Sequence, residues 1–251
     1  AMGLSLRHHI HESQGTALAA KRGFYGVLQV STELPGTEDE YRSLYHGRIS
    51  HGRQYRNDAY RRLATTYYSV DSGVGAVFSL LPAREKVPPA PLHVGVVGLG
   101  VGTIATYAAE GDRFRLYEIN PQVEELARSH FTYLADSAGE ASVVLGDARI
   151  SLERELTAGR KQEFDALFVD AFSGDSIPIH LLTREAFALY FEHLKPDGVL
   201  AVHITNLHID LADPVRNLAA AFGYAAFRVD QGEEFLGGAG AEHLDPLTQA
   251  L

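Results

Sequence analysis

In "FDALFVDAF" (164–172), Asp170 follows four apolar residues, Ala166 to Val169, at the point where a buried strand would open to a pocket. A carboxylate so placed can hold an amine in line with an electrophilic carbon and accept its proton. Asp175, in the Gly/Ser loop that follows, is a second candidate acid. A structural alternative is that Asp170 caps that loop or a helix starting near Thr183. A second constellation lies upstream. "GLGVG" carries Gly98, Gly100 and Gly102, Glu118 follows about twenty residues later, and "GDA" supplies Asp147. Glycines let backbone approach a ligand, a strand-end acid can grip ribose hydroxyls, and a further carboxylate can accept from an adenine amino group. Each alone has a structural counterpart: a tight turn, a solvated strand end, a helix cap at Ala148. Together they point to a bound adenosine. Where a dinucleotide fingerprint wants its third glycine stands Thr103, which favours a sulfonium nucleotide such as S-adenosylmethionine over a dinucleotide.

These residues need a frame that brings strand ends together. From 92 onward, apolar runs at 93–98, 114–119, 142–147, 164–172, 198–205 and 225–229 alternate with helical stretches, "TIATYAAE" and "PQVEELARSHF" the first two. That alternation predicts a Rossmann-like, doubly wound, mostly parallel α/β sheet, with ligands outside the carboxyl ends of its strands. Apolar positions in "HFTYL" and "AFALYF" read as core. Residues 230–251 show no convincing apolar strand to close such a sheet. Ahead of it, "FYGVLQVS", "PGTEDE" and "YRSLYHGRISHGRQ" read as strand, turn and strand, a small β-rich N-terminal module. A helix over 72–82 and prolines at 82, 88, 89 and 91 divide the chain into 1–82 and 92–251.

With 251 residues, 45% of them hydrophobic, the chain can fill a sizeable core. It has no cysteine, which excludes disulfides and thiolate metal sites and fits a reducing, cytoplasmic setting. No run reaches the ~18–20 apolar residues of a membrane helix. The opening Ala1-Met2-Gly3 looks like the remnant of an engineered cleavage site, so the chain reads as a domain of something longer. A net charge of −10 disfavours nucleic-acid backbone binding and suits a cationic small molecule. His8, His9 and His11 lack distant partners and read as surface residues, so no metal is expected.

The order "GLGVGT", "YEINP", "GDA" and "VDAF" resembles the spermidine synthase family of aminopropyltransferases. "HFTYL", "GDARISLE", "VDAFSGDSIPIHLLT" and "AVHITN" are more narrowly similar to the synthase-like domain of bacterial chains fused to a membrane transporter-like region. The resemblance implies transfer of a 3-aminopropyl group from decarboxylated S-adenosylmethionine to a polyamine-type amine, with release of methylthioadenosine. By it, Asp170 orients and deprotonates the amine, Glu118 binds ribose, Asp147 faces adenine, and Gln54 lies by the nucleoside. Tyr67 and Tyr68 fall at the family's tyrosine gate to the amine pocket, and His203 ends the fifth strand beside it. Three departures stand out. Val101 replaces the aspartate that holds the donor's amino group, Ser173 stands where the second acid is expected, and no gate glutamate follows Tyr68. Val101 keeps S-adenosylmethionine-dependent methyl transfer or other sulfonium chemistry open, as well as a non-catalytic nucleoside sensor of a membrane protein. Family members are often oligomeric, and the exposed N-terminal module could pair with its copy in a homodimer.

Overall fold

The computed structural model describes residues 15–47, 49–171, 178–205 and 210–230, together with the backbone of 244–246. Four strands, β1 (Thr16–Gly23), β2 (Gly26–Glu33), β3 (Tyr41–His46) and β4 (Ile49–Tyr55), form an antiparallel meander in that order. Alternation along β2 buries Leu28 and Val30, and with Leu44 of β3 they pack on Val101, Leu126, Phe131 and Tyr133. The module thus lies with its apolar face against the glycine turn and the helix Pro121–His130.

A one-turn 3₁₀ helix (Thr66–Tyr68) and α1 (Gly73–Leu80) follow, α1 starting where the Ser72 hydroxyl accepts from Val74 N and Gly75 N. α2 (Pro82–Glu85) leads into the main sheet. Its strands are β5 (His93–Val97), β6 (Arg113–Glu118), β7 (Glu140–Leu145), β8 (Phe164–Val169) and β9 (Leu194–Val202), all parallel, in the order β7-β6-β5-β8-β9. α3 (Pro121–His130), α4 (Ala148–Thr157), α5 (Arg184–His193) and α6 (Ala212–Ala221) complete the helices. One face of the sheet buries Phe114, Leu116 and Phe168 with Phe78 of α1, the other Tyr117, Leu167 and Val169 with Phe187 and Tyr190 of α5. Burial of the central strands β5, β6 and β8 on both faces explains their near-continuous apolar runs. Because β6 and β8 flank β5 on opposite sides, the chain diverges at the carboxyl end of β5, where such sheets bind ligands.

Two expectations are corrected. "TIATYAAE" forms only a five-residue 3₁₀ helix, Thr103–Tyr107, entered from left-handed Gly102 (φ 85°) and ended by extended Ala108. Its β-branched threonines and isoleucine favour helix less than Ala or Leu, and Gly111 (φ 89°) turns the chain straight into β6. The sixth apolar run is not a strand of the parallel sheet. β10 (Phe227–Val229) pairs antiparallel with β11 (Leu244–Pro246) in a separate two-stranded sheet, and β11 lies where the sequence shows no convincing strand. All three β10 residues are exposed, so this segment has no buried face with which to join the core. No helix among the described residues is long and apolar enough to cross a membrane.

Candidate active site

Asp170 sits one residue beyond β8, and its N–H donates to Val97 O (2.9 Å), which carries the ladder one step past the strand. Its carboxylate is nearly enclosed, at 11% exposure. One oxygen accepts from the Tyr68 hydroxyl and the other faces His203 Nδ1 at 2.7 Å. Tyr67 stacks obliquely between these partners, its ring 4.7 Å from that of Tyr68 and 4.6 Å from that of His203. Both phenols are pushed well above their ordinary pKa, by burial first and by the Asp170 charge second, so Tyr68 remains a donor at neutral pH. The Tyr107 hydroxyl fixes the other side of Tyr68 by donating to its backbone carbonyl (2.5 Å). Thr66, which starts this turn, has φ 58°, an unusual conformation for a β-branched residue that the surrounding packing must hold.

The glycines divide by role. Gly98 (φ 105°) lies so close to the Asp170 carbonyl that no side chain fits, and a Cβ on Gly100 (φ 53°) would stand 2.7 Å from His51 O of β4. These two therefore admit backbone from β8 and from the N-terminal module, and both line the cavity at the carboxyl edge. Gly102 is absent from that lining; a Cβ there would meet Leu134 at 3.0 Å.

Glu118 ends β6 on the other side of the turn. Its carboxylate accepts from Leu99 N (3.1 Å) and Asn120 N (2.8 Å), which ties the strand end to the glycine turn. Burial raises its pKa, and these backbone donors pull it back down. Asp147 caps α4 through Ile150 N (2.9 Å), as the structural alternative had it, while its second oxygen meets His180 Nε2 at 2.9 Å. It still lines the cavity.

The cavity encloses about 120 Å³. Gly98, Gly100, Glu118, Asp147 and Asp170 line it, so the structure brings these five sequence candidates together. Tyr68, Tyr67 and His203 stand behind Asp170 as its shell. Gln54 is not at the cavity. Its amide is buried and committed, donating to Arg61 O and Thr132 Oγ1 and accepting from Thr132 N, a clamp between β4 and the segment after α3. Asp175 lies outside the described residues. Val101 is 1% exposed within the N-terminal module's apolar contact, so its side chain points away from the cavity.

Among the lining residues that sequence reasoning missed are Tyr25, His46, His51 and His180. The first three belong to the N-terminal module, and the repeated His-Gly of "HGRISHG" was the available signal. Three acids line one small cavity, and their negative charge favours a cation there. No group of metal-binding residues occurs among the described residues.

No family model matches the chain. It is 34% identical over 119 residues to a polyamine aminopropyltransferase of Vibrio vulnificus, covering 46% of this chain and 38% of the relative. It is 27% identical over 206 residues to an N-terminal histidine N-methyltransferase of Emericella nidulans, covering 78% of this chain and 35% of the relative. The chain thus spans little more than a third of the length of these relatives. Among solved structures it resembles spermidine synthase from Thermotoga maritima (TM-score 0.53, 15% identity, 82% of this chain and 64% of that one). It also resembles human methyltransferase-like protein 13 in complex with SAH (TM-score 0.54, 22% identity, 63% and 75%). In architecture the chain is therefore similar to the α/β fold that spermidine synthases share with class I methyltransferases, and in sequence to transferases of both kinds.

Proposed function

We propose that this chain moves an alkyl group from an adenosyl sulfonium to a nitrogen nucleophile, and that the group is the 3-aminopropyl of decarboxylated S-adenosylmethionine. The observation that carries the reading is Asp170. It is an enclosed carboxylate at the carboxyl end of β8, held by Tyr68 and His203 and sharing one cavity with Glu118 across the glycine turn. Glu118 would take the ribose hydroxyls, and Asp147 the adenine side. The nitrogen lone pair attacks the carbon bonded to sulfur, the C–S bond breaks, and its electron pair stays on sulfur as the neutral thioether of methylthioadenosine. The sulfonium is already a good leaving group, so catalysis on this reading is chiefly proximity and orientation, worth up to ~7–11 kcal/mol in all for well-aligned reactants, and Asp170 is one of the groups that supply it. The polyamine aminopropyltransferase relative supports the choice of group. A cavity of 120 Å³ is smaller than the ~300 Å³ at which ligand sites begin. Binding on this reading therefore widens the site.

Val101 favours a second reading. With an apolar side chain turned toward the N-terminal module, the glycine turn offers no carboxylate to a donor's terminal ammonium. The longest of the relatives' matches is to a methyltransferase. Methyl transfer from S-adenosylmethionine would use the same cavity and the same Asp170.

The test supplies each donor with 1,4-diaminobutane, or with a peptide bearing an N-terminal histidine, and identifies the released nucleoside. Methylthioadenosine from the decarboxylated donor, lost in Asp170→Ala, is the expected result. S-adenosylhomocysteine selects the second reading. Binding without release of either makes the domain a nucleoside sensor.

A further inference from the structure

The attacking nitrogen reaches the site as an ammonium and must lose a proton before its lone pair is available. Both oxygens of Asp170 already face hydrogen-bond partners, Tyr68 and His203, which suits the carboxylate to anchoring the cation. Another titratable side chain, His51, lines the same cavity. His51 Nε2 is enclosed and has no hydrogen-bond partner among the described residues. The imidazole belongs to β4, and its backbone is held in place, because the His51 carbonyl packs against Gly100 so closely that only glycine fits there. From the proposed transfer to nitrogen, on which this step rests, and from that placement, we infer that His51 is the proton acceptor for the nucleophile.

The titratable groups lining the cavity around His51 are Tyr25, His46, Tyr117, Glu118, Asp147, Asp170 and His180, the Tyr117 hydroxyl donating to Glu155. His180 is paired with Asp147 and Glu118 with backbone amides. Burial pushes the His51 imidazole below its ordinary 6.5 and neighbouring His46 pushes the same way, while the Asp170 charge opposes them. His51 is therefore neutral near pH 7, the state a base requires. In the step, the ammonium N–H breaks, its proton forms a bond to an imidazole nitrogen, and the freed lone pair attacks the sulfonium-bound carbon. The imidazolium then releases its proton to solvent, and the transferred product leaves as an ammonium. An imidazole base serves aminopropyl and methyl transfer alike, since each needs a neutral nitrogen.

The experiment compares the parent chain with His51→Gln, which keeps the β4 backbone against Gly100 and a polar side chain in the cavity wall. Rates of nucleoside release from both donors with 1,4-diaminobutane are measured from pH 6.5 to 10, beside the affinity of each protein for methylthioadenosine and S-adenosylhomocysteine. The variant should be about 100-fold slower at pH 7. The gap should close to within about tenfold near pH 10, where a primary amine with a pKa of ~10.4 sheds its own proton. Nucleoside affinity should change by no more than about twofold. A loss of the same size at every pH, or no loss, overturns the role of His51 while leaving the transfer intact. Absence of release by the parent chain with either donor removes the transfer reading itself, and with it the proton His51 would accept. His51→Asn, run in parallel, should reproduce the pH-dependent gap if His51→Gln folds poorly.

Discussion

Asp112 and Asp170 are two enclosed carboxylates at opposite edges of one sheet, and they are satisfied in different ways. Asp112 precedes β6 at the amino edge with no side-chain exposure, and accepts from Leu92 N and Ala109 N, both at 2.8 Å, and from the Arg84 guanidinium. Two of those donors are backbone and the third is a permanent cation, so the arrangement ties the start of β5 to the start of β6 and leaves nothing to exchange. Asp170 terminates β8 at the carboxyl edge beside a cavity, and its donors are side chains from two other elements. The first pattern neutralises a charge to hold a fold together. The second positions a charge where a cationic ligand can share it, and sheets of this topology place ligands at that edge.

Removing each acid should therefore fail in a different measurement. Asp112→Ala takes from Arg84 its carboxylate partner, leaving it only the Tyr107 carbonyl, and leaves two buried N–H groups unsatisfied, and should lower unfolding free energy by about 3–5 kcal/mol in urea titration. The activity of the fraction still folded should be near that of the parent. Asp170→Asn keeps the shape and an acceptor for Tyr68. It should shift stability by less than about 1 kcal/mol and slow turnover about 100-fold or more. If Asp170→Asn proved as destabilising as Asp112→Ala while turnover per folded molecule held, the contrast between the two edges would collapse. Tyr68→Phe sharpens the contrast from Asp170's own shell. Loss of one donor to the carboxylate should slow turnover about tenfold, equivalent to ~1.4 kcal/mol of barrier.

How much of this was legible depended on whether a residue's role is local. The central strands β5, β6 and β8 were readable because burial on both faces writes apolar runs directly into the chain. The acids at their ends were readable because each interrupts or terminates such a run. Asp147 carries both its local role, capping α4, and its place in the cavity, and the motif could not rank the two. What escaped depends on contacts distant in sequence. Gln54 reads as a ligand by motif, yet Thr132, 78 positions away, takes both ends of its amide. Val101 reads as a missing charge, yet it is an apolar contact for Leu28 and Leu44 of the N-terminal sheet. His51 became visible as a site residue only once β4 was seen lying against Gly100.

Histidines supply the smallest test of the same division. His193 is fully buried at the end of α5; its Nδ1 accepts from Gln162 N (3.2 Å) and its Nε2–H donates to Leu152 O (3.0 Å), which requires the neutral ring. Burial lowers its pKa below 6.5, partly offset by the Leu152 carbonyl. The unfolded chain therefore binds more protons than the folded one between the lowered value and 6.5, so the stabilising contribution is complete above 6.5 and is lost as pH falls. Glu118, raised by burial, acts in the opposite sense, but does so equally in a variant that leaves it untouched. Between pH 7.5 and 5.5 the parent should lose more unfolding free energy than His193→Gln, by denaturant titration at both pH values. His51→Gln should also flatten this acid limb, because His51 is likewise lowered by burial, and it alone should change the pH profile of turnover. Should His193→Gln alter the turnover profile as well, the titrating group behind that profile would have to be sought in the fold rather than in the cavity.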